Sequence, residues 1–375
     1  MKVKKIAVIG AGLMGAGITY VSRASGYEVI MTDLDDDALQ RGLSRFNGYV
    51  ESGVKRGKLS PKDGEKLISQ LTTTTDLSEA VSDVDLVIEA VFENMDVKKK
   101  LFKEMDSAAK PHTILASNTS SLSITELGKV TNRPDKVVGM HYFSPVPAMK
   151  LLEVIIGRET NDDTVQTALE VGEKQRKITV KAIDSPGFIV NRLRSQISRA
   201  VLQIYEQGLA SAEEIDTAMK EKFGTPMGSL ELTDFVGLDV SFGTGSTLER
   251  ELGDCYKVPE ILKKYVEEGR IGRKAGKGFY AYEDGQKRSL EEPKGADPDV
   301  LVNRIIMPYL REAMIELETG IASKEDIDKA MKLGSNYKEG PFETIERLGL
   351  DTVREELKKL QEEFGDCYNL PKMLQ

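Results

Sequence analysis

Two side chains interrupt apolar runs in a way that suggests chemistry. His141, one of two histidines in the chain, ends the run "KVVGMHY", and Glu153, twelve residues on, stands inside "KLLEVII". A carboxylate set among aliphatic side chains is costly unless it is paired. An imidazole can take a proton near neutral pH, and a carboxylate behind it fixes the tautomer and stabilises the protonated ring. Such a pair suits the removal of a proton from an alcohol as its carbon is oxidised. The alternative is a hydrogen-bonded core histidine beside Tyr142 and Phe143, with Glu153 facing solvent on an edge strand. His112, in the turn "AKPHTI", lies at the start of a strand and is the poorer candidate.

A second constellation opens the chain. "IAVIGAGLMGAG" sets Gly10, Gly12 and Gly15 in G-x-G-x-x-G spacing, with Leu13 and Met14 between them, directly after an apolar run. The first glycine allows a tight turn, the second lets backbone approach a pyrophosphate, and the third lets helix pack on strand. Helix N–H groups then hold the phosphate charge. Asp33, twenty-three residues after Gly10, ends the second apolar run, where an acid accepts hydrogen bonds from ribose hydroxyls. No arginine follows it at once, so NAD is expected rather than NADP; the alternative is that Asp33 only caps the next helix.

These residues need a scaffold, and the first part of the chain supplies one. Apolar runs "KKIAVIG", "YEVIMTD", "VDLVIEAV", "HTILASN", "KVVGMHY", "KLLEVII" and "KITVKA" alternate with helical patterns. Their continuous apolar character predicts strands covered on both faces, hence a Rossmann-like, doubly wound α/β sheet of parallel strands. Ligands bind such sheets at the carboxyl ends of the strands, where His141 is expected and where Glu153 could meet it. Between two strands, Ser123 and Glu126 stand at capping-box spacing.

After "KAIDSPGFIVNRL" the pattern becomes helical, and it repeats. The stretch from Ile189 aligns without gaps on the stretch from Leu301, pairing Asp216 with Asp328, Gly237 with Gly349 and Cys255 with Cys367 at one constant offset. Gly208 and Gly320 match at turns. A duplicated unit can bury against its twin a face that neither copy buries alone. The expected division is a nucleotide-binding domain over 1–184, a first helical copy with linker over 185–296, and a second copy over 297–375. The Gly, Pro and charge content of 285–297 reads as the linker.

Composition bounds the rest. A chain of 375 residues, 40% hydrophobic and 30% charged, is globular and long enough for two or three domains. A net charge of −9 argues against a nucleic-acid partner. No apolar run reaches the roughly 20 residues of a spanning helix, glycines break the N-terminal apolar stretch, and the cytoplasm is the expected location. Cys255 and Cys367 are expected to be buried thiols, and two histidines and two cysteines so scattered do not suggest a metal site.

"GAGLMGAGI", "EAVFEN", "ASNTSSLSI", "HYFSPVPAMKLLEVI", "DSPGFIVNRL" and "GRKAGKGFY", in this order between residues 4 and 284, resemble the 3-hydroxyacyl-CoA dehydrogenase family. The duplicated tail resembles members with a second helical copy, as in the dehydrogenase part of bacterial multifunctional fatty-oxidation proteins. The resemblance implies NAD-dependent oxidation of an L-3-hydroxyacyl-CoA to the 3-ketoacyl-CoA, or the reverse, with 3-hydroxybutyryl-CoA a candidate substrate. It implies His141 as base, Glu153 as its orienting partner, and Ser120 and Asn191 as hydrogen-bonding partners of the substrate's oxygens. It places Glu93, Lys98 and Lys274 near the cofactor; as plain residues these three read as solvated charges, Ser120 as a turn serine and Asn191 as a helix-start polar group.

Two departures stand out. Ser144 occupies the place of the family's usual Asn, an amide that helps position substrate and nicotinamide. Asn303 and Arg304 repeat Asn191 and Arg192 in a copy without its own nucleotide domain, so a second active site is not expected. Lys55 and Arg56, with Lys58, could meet the anionic end of CoA or form a solvated helix end. A dehydrogenase of a free 3-hydroxy acid, or an NAD-binding protein without catalysis, are the other readings. Because single-copy relatives pair their helical domains between subunits, the second copy suggests a monomer, with a homodimer through other surfaces the alternative.

Overall fold

The computed structural model describes residues 2–284 and 286–375; Met1 and Gly285, which fall in the N-terminal segment and in the stretch read as a linker, lie outside the described residues. The chain divides into two compact units, the first ending at Ser185 and the second Pro186–Gln375.

In the first unit, strands β1 (Lys5–Ile9), β2 (Glu28–Thr32), β3 (Thr72–Thr74), β4 (Leu86–Glu89), β5 (Ile114–Ser117), β6 (Val137–Tyr142), β7 (Leu151–Ile156) and β8 (Ile178–Ile183) form one sheet in the order β3-β2-β1-β4-β5-β6-β7-β8. Helices α1 (Leu13–Ala24), α2 (Asp36–Lys55), α3 (Pro61–Ser69), α4 (Leu77–Val81), α5 (Met95–Ala108), α6 (Ile124–Gly128) and α7 (Asp162–Lys174) connect them. The central strands β4, β5 and β6 are buried throughout, as unbroken apolar runs require when both faces are covered. The sheet's edges differ: β3 is a short run of three threonines, and β8 alternates exposed with buried positions. The pattern of apolar runs missed β3 because nothing in "TTT" is apolar.

The all-parallel expectation fails at one pair. β7 runs antiparallel to β6, with His141 directly opposite Glu153, while β7 and β8 are parallel. The reason is reach: a parallel return needs a crossover of about a dozen residues or more, and only residues 143–150 separate these strands. This connection holds a cis Ser144–Pro145 peptide. It is tied down by Lys177, whose buried Nζ donates to the carbonyl oxygens of Val146 and Met149 at 2.5 and 2.6 Å. Ser123 caps α6 by accepting from the Glu126 N–H; the Glu126 carboxylate itself pairs with Lys99 and Lys129.

The second unit is helical: α8 (Val190–Glu206), α9 (Ala212–Ala218), α10 (Ser229–Val236), α11 (Leu238–Leu252), α12 (Glu260–Glu267), α13 (Pro298–Glu318), α14 (Lys324–Gly334), α15 (Pro341–Leu348) and α16 (Leu350–Phe364). β9 (Ala281–Glu283) pairs antiparallel with β10 (Gln286–Arg288), and only β10 falls in the stretch read as linker. The remainder of that stretch is anchored, since the N–H groups of Lys294, Gly295 and Ala296 donate to the Glu214 carboxylate. The cysteines are not thiols. The turns after α11 and α16 bring Cys255 and Cys367 together, Cα atoms 5.1 Å apart, in a disulfide. Counting only two cysteines hid a pairing that matched positions in the two helical stretches made available.

Candidate functional site

His141 and Glu153 form a close buried pair in the first unit. Their strand register places them face to face, and His141 Nδ1 lies 2.6 Å from Glu153 Oε2. Glu153 is wholly buried and His141 6% exposed. A carboxylate accepts only, so Nδ1 carries the proton toward it and Nε2 is the ring's basic nitrogen. The Phe143 ring stands 4.5 Å from the imidazole, centroid to centroid. Asn118, at the end of β5, accepts from the Tyr142 N–H at 2.9 Å and fixes the end of β6. Glu153 does not face solvent, whereas His112 lies where it was expected, in an exposed turn before β5, 3.5 Å from Asp85.

Beside the ends of β4 and β5 lies a second polar cluster. Lys98, only 1% exposed, donates to Glu89 at 2.6 Å and pairs with Glu93 at 3.2 Å. Glu89 also accepts from the Ser117 hydroxyl and the Val91 N–H. Glu93 in turn accepts from the Thr119 hydroxyl, the Ser120 N–H and the Ser120 hydroxyl, at 2.6, 2.8 and 3.1 Å. Burial raises the Glu93 pKa, but the Lys98 charge and the hydrogen bonds outweigh it and hold the carboxyl below its ordinary value. The solvated-charge reading therefore fails for Lys98. Glu89 was missed, although it breaks the run "VDLVIEAV" as Glu153 breaks "KLLEVII", and the same signal finds it.

The glycine loop fits a dinucleotide. Gly10 adopts φ +97°, and a Cβ on Gly15 would stand 1.7 Å from the Gly10 carbonyl oxygen, so loop and helix approach as only glycine allows. A Cβ on Gly12 would meet nothing within 4 Å, which leaves its backbone open to a ligand. Helix α1 starts without a side-chain cap or an acidic residue in its first turn, whereas α2 is capped by Asp35 and carries Asp36 and Asp37. An uncapped N-terminus without carboxylates suits a pyrophosphate. Asp33 is not the cap of α2: its carboxylate accepts from the Ala11 and Leu34 N–H groups, both at 2.7 Å, and ties the end of β2 to the glycine loop. Leu13 and Leu34 are exposed at this rim, Met14 half-buried.

The remaining candidates are distributed. Ser144 is exposed in the connection after β6. Lys55 and Arg56 are exposed at the C-terminal end of α2. Asn191 and Lys274 belong to the second unit, Asn191 in the first turn of α8 and Lys274 in an exposed ion pair with Asp239 at 2.9 Å. Among the described residues, no cluster of three or more His, Cys, Asp or Glu side chains is placed to hold a metal ion, and no helix is long and apolar enough to cross a membrane.

Residues 5–185 match the model of the 3-hydroxyacyl-CoA dehydrogenase NAD binding domain, and residues 187–282 and 301–375 match that family's C-terminal domain. A probable 3-hydroxybutyryl-CoA dehydrogenase of Bacillus subtilis is 43% identical over 286 residues, 76% of this chain and 99% of the relative. The fatty acid oxidation complex subunit alpha of a Shewanella species is 36% identical over 98% of this chain, which spans 54% of that longer protein. The crystal structure of 3-hydroxybutyryl-CoA dehydrogenase from Escherichia coli superposes with a TM-score of 0.91 at 28% identity, covering 100% of this chain and 98% of the other. With both family domains matched across nearly its whole length, the chain belongs to the 3-hydroxyacyl-CoA dehydrogenase family.

Proposed function

We propose that the chain oxidises short-chain L-3-hydroxyacyl-CoA thioesters such as 3-hydroxybutyryl-CoA, or reduces the 3-ketoacyl-CoA in the reverse direction, with His141 as general base and Glu153 as its orienting partner. The observation that carries this reading is the buried 2.6 Å contact between His141 Nδ1 and Glu153 Oε2 at the end of β6. His141 Nε2 accepts the proton of the 3-hydroxyl, and Glu153 stabilises the imidazolium so formed. When bound, NAD supplies the acceptor for the hydride of the carbinol carbon. Gly10, Gly12, Leu13, Met14 and Gly15 hold its pyrophosphate, and Asp33 its adenosine ribose. Glu93, Lys98, Ser120, Ser144 and Lys274 are the further candidates for binding it. The Ser120 hydroxyl and the Asn191 amide hydrogen-bond the substrate's oxygens, and Lys55 and Arg56 meet the nucleotide end of CoA.

The second unit is read as two copies of one helical domain, giving three parts over 1–184, 185–296 and 297–375. Support comes from the constant register of 112 residues, from the disulfide between matched cysteines, and from the two separate stretches matched by one domain model. Gly208 and Gly320, at φ +67° and +71°, turn the chain at matching places. The internal twin supports a monomer, with a homodimer through other surfaces the alternative; the net charge of −9 supports action without nucleic acid, and the cytoplasm is the location kept in this reading.

The deciding experiment is a spectrophotometric assay of the purified chain with NAD and NADP over 3-hydroxyacyl-CoA substrates from C4 to C16, run beside acetoacetyl-CoA and free acetoacetate in reverse. Turnover of the C4 thioester with NAD, and none of the free acid, is expected. Equal turnover of free acetoacetate would replace the thioester by the free acid as substrate. NADH binding without turnover of any substrate would remove the catalytic reading.

A further inference from the structure

The pair Asn-Arg occurs twice in the helical unit, but its surroundings do not repeat. Arg192 is buried, and its Nε donates to Glu312 at 2.5 Å. The Tyr256 hydroxyl accepts from Arg192 at 3.2 Å and donates to the same Glu312 oxygen at 2.7 Å. Glu312, 1% exposed, lies on α13, in the second copy. Burial acts against the charge of Arg192, and Glu312 outweighs it, leaving the guanidinium more firmly protonated than usual. In the second copy, Arg304 stands where Arg192 stands in the first, but the residue matching Glu312 is Ala200. Arg304 turns instead to Glu363, at 2.7 Å, in a pair that water reaches.

Arg192 follows Asn191 directly, and the backbone leading to them is strained. Gly187 and Phe188 take φ +76° and +51°, the second a left-handed conformation that a bulky residue adopts only when its surroundings impose it. The Arg192 N–H donates to the Gly187 carbonyl at 3.1 Å. An anchor on the Arg192 side chain therefore fixes the turn that sets the direction of Asn191. A buried ion pair adds little net stability compared with apolar packing, and its best-attested use is to specify geometry.

We propose that Glu312, supplied by the second helical copy, is a positioning residue for Asn191 of the first. The second copy then has a role in the reaction although it has no nucleotide domain. The proposal rests on the reading that Asn191 hydrogen-bonds the substrate.

The test is a double-mutant cycle in the full chain with Glu312→Gln and Asn191→Ala, assayed with acetoacetyl-CoA and NADH. Glu312→Gln is expected to lower kcat/KM about ten- to a hundredfold with the NADH Kd unchanged. In the Asn191→Ala background it is expected to cause no further loss, because its effect passes through the missing amide. A full multiplicative loss in the double variant overturns the proposal while leaving Asn191 its role. So does an unchanged kcat/KM in Glu312→Gln alongside a reduced one in Asn191→Ala. Wild-type kinetics in Asn191→Ala overturn the substrate-binding reading and the proposal with it. Should Glu312→Gln fail to fold, Tyr256→Phe removes one hydrogen bond to Glu312 and keeps the ion pair, with a smaller loss in the same cycle. Arg304→Ala, at the matching exposed pair, is the control expected to leave kinetics unchanged.

Discussion

Buried carboxylates are used differently in the two units. On the sheet, Glu153 and Glu89 stand on β7 and at the end of β4, and each faces a side chain nitrogen, His141 or Lys98. In the helical unit, Asp216 accepts from the Leu230 and Glu231 N–H groups and the Tyr280 hydroxyl, Asp234 from the N–H groups of Phe279 and Tyr280, and Asp328 from the Phe342 N–H. These hold helix starts and turns. Glu312 stands between the two uses, since it holds a side chain cation whose neighbour is a candidate substrate contact. The lesson lies in the partner: an imidazole can gain and lose a proton near neutral pH, while a guanidinium never sheds its own. A carboxylate beside the first can steady a proton in transfer, and one beside the second can only hold its partner in place.

The sharpest break of this contrast is His141→Gln, expected to lower kcat by about 10³-fold or more while the Tm and the NADH Kd stay near wild type, since a lost base is felt mainly in the transition state. An equally large loss of Tm would make His141 a core residue. Glu153→Gln keeps the volume and removes the charge that steadies the imidazolium; a fall in kcat of about 10²-fold is expected, with a smaller change in KM. For Glu312→Gln the balance reverses. Denaturant unfolding should show a loss of about 3 kcal/mol, the size expected when a buried charge loses its partner.

The smallest effects separate the matched aspartates. Burial pushes the Asp328 carboxyl up to about 6. The native form therefore holds its proton more tightly than the unfolded chain, and the stability linked to that proton is present below about pH 4 and lost as pH rises through about 6. Asp328→Asn keeps an acceptor for the Phe342 N–H and is expected to raise the Tm at pH 8 by an amount that shrinks toward pH 4. Asp216→Asn should lower the Tm at pH 8 instead, because both of its carboxylate oxygens already accept and an amide nitrogen would face a donor. Thermal scans of the two variants side by side settle it; equal shifts would mean that the matched positions are alike.

How much of this could be read from the residues follows the range of the interactions. Apart from β3, a run of three threonines, the strands of the first unit were legible because each is an apolar run, and His141 and Glu153 because each breaks one. Their direct opposition depends on an antiparallel pair, which the brevity of residues 143–150 implies but strand patterns alone do not. In the helical unit, turn residues recur at a fixed offset in the sequence, which is the signal that suggested a repeat. The unit's cross-connections were not legible: Glu312 lies in a helix where an acid reads as surface, and its partner Arg192 is 120 residues away. The disulfide was hidden for a similar reason, as proximity after folding leaves no local mark on either cysteine.

That disulfide closes residues 255–367 into a covalent ring that includes the exposed stretch 289–294. A single protease cut there opens the ring without parting the molecule. The nicked chain should migrate as one band on a denaturing gel until a reductant is added, and only then as two fragments, so the same cut reports both the sulfur oxidation state and the chain path.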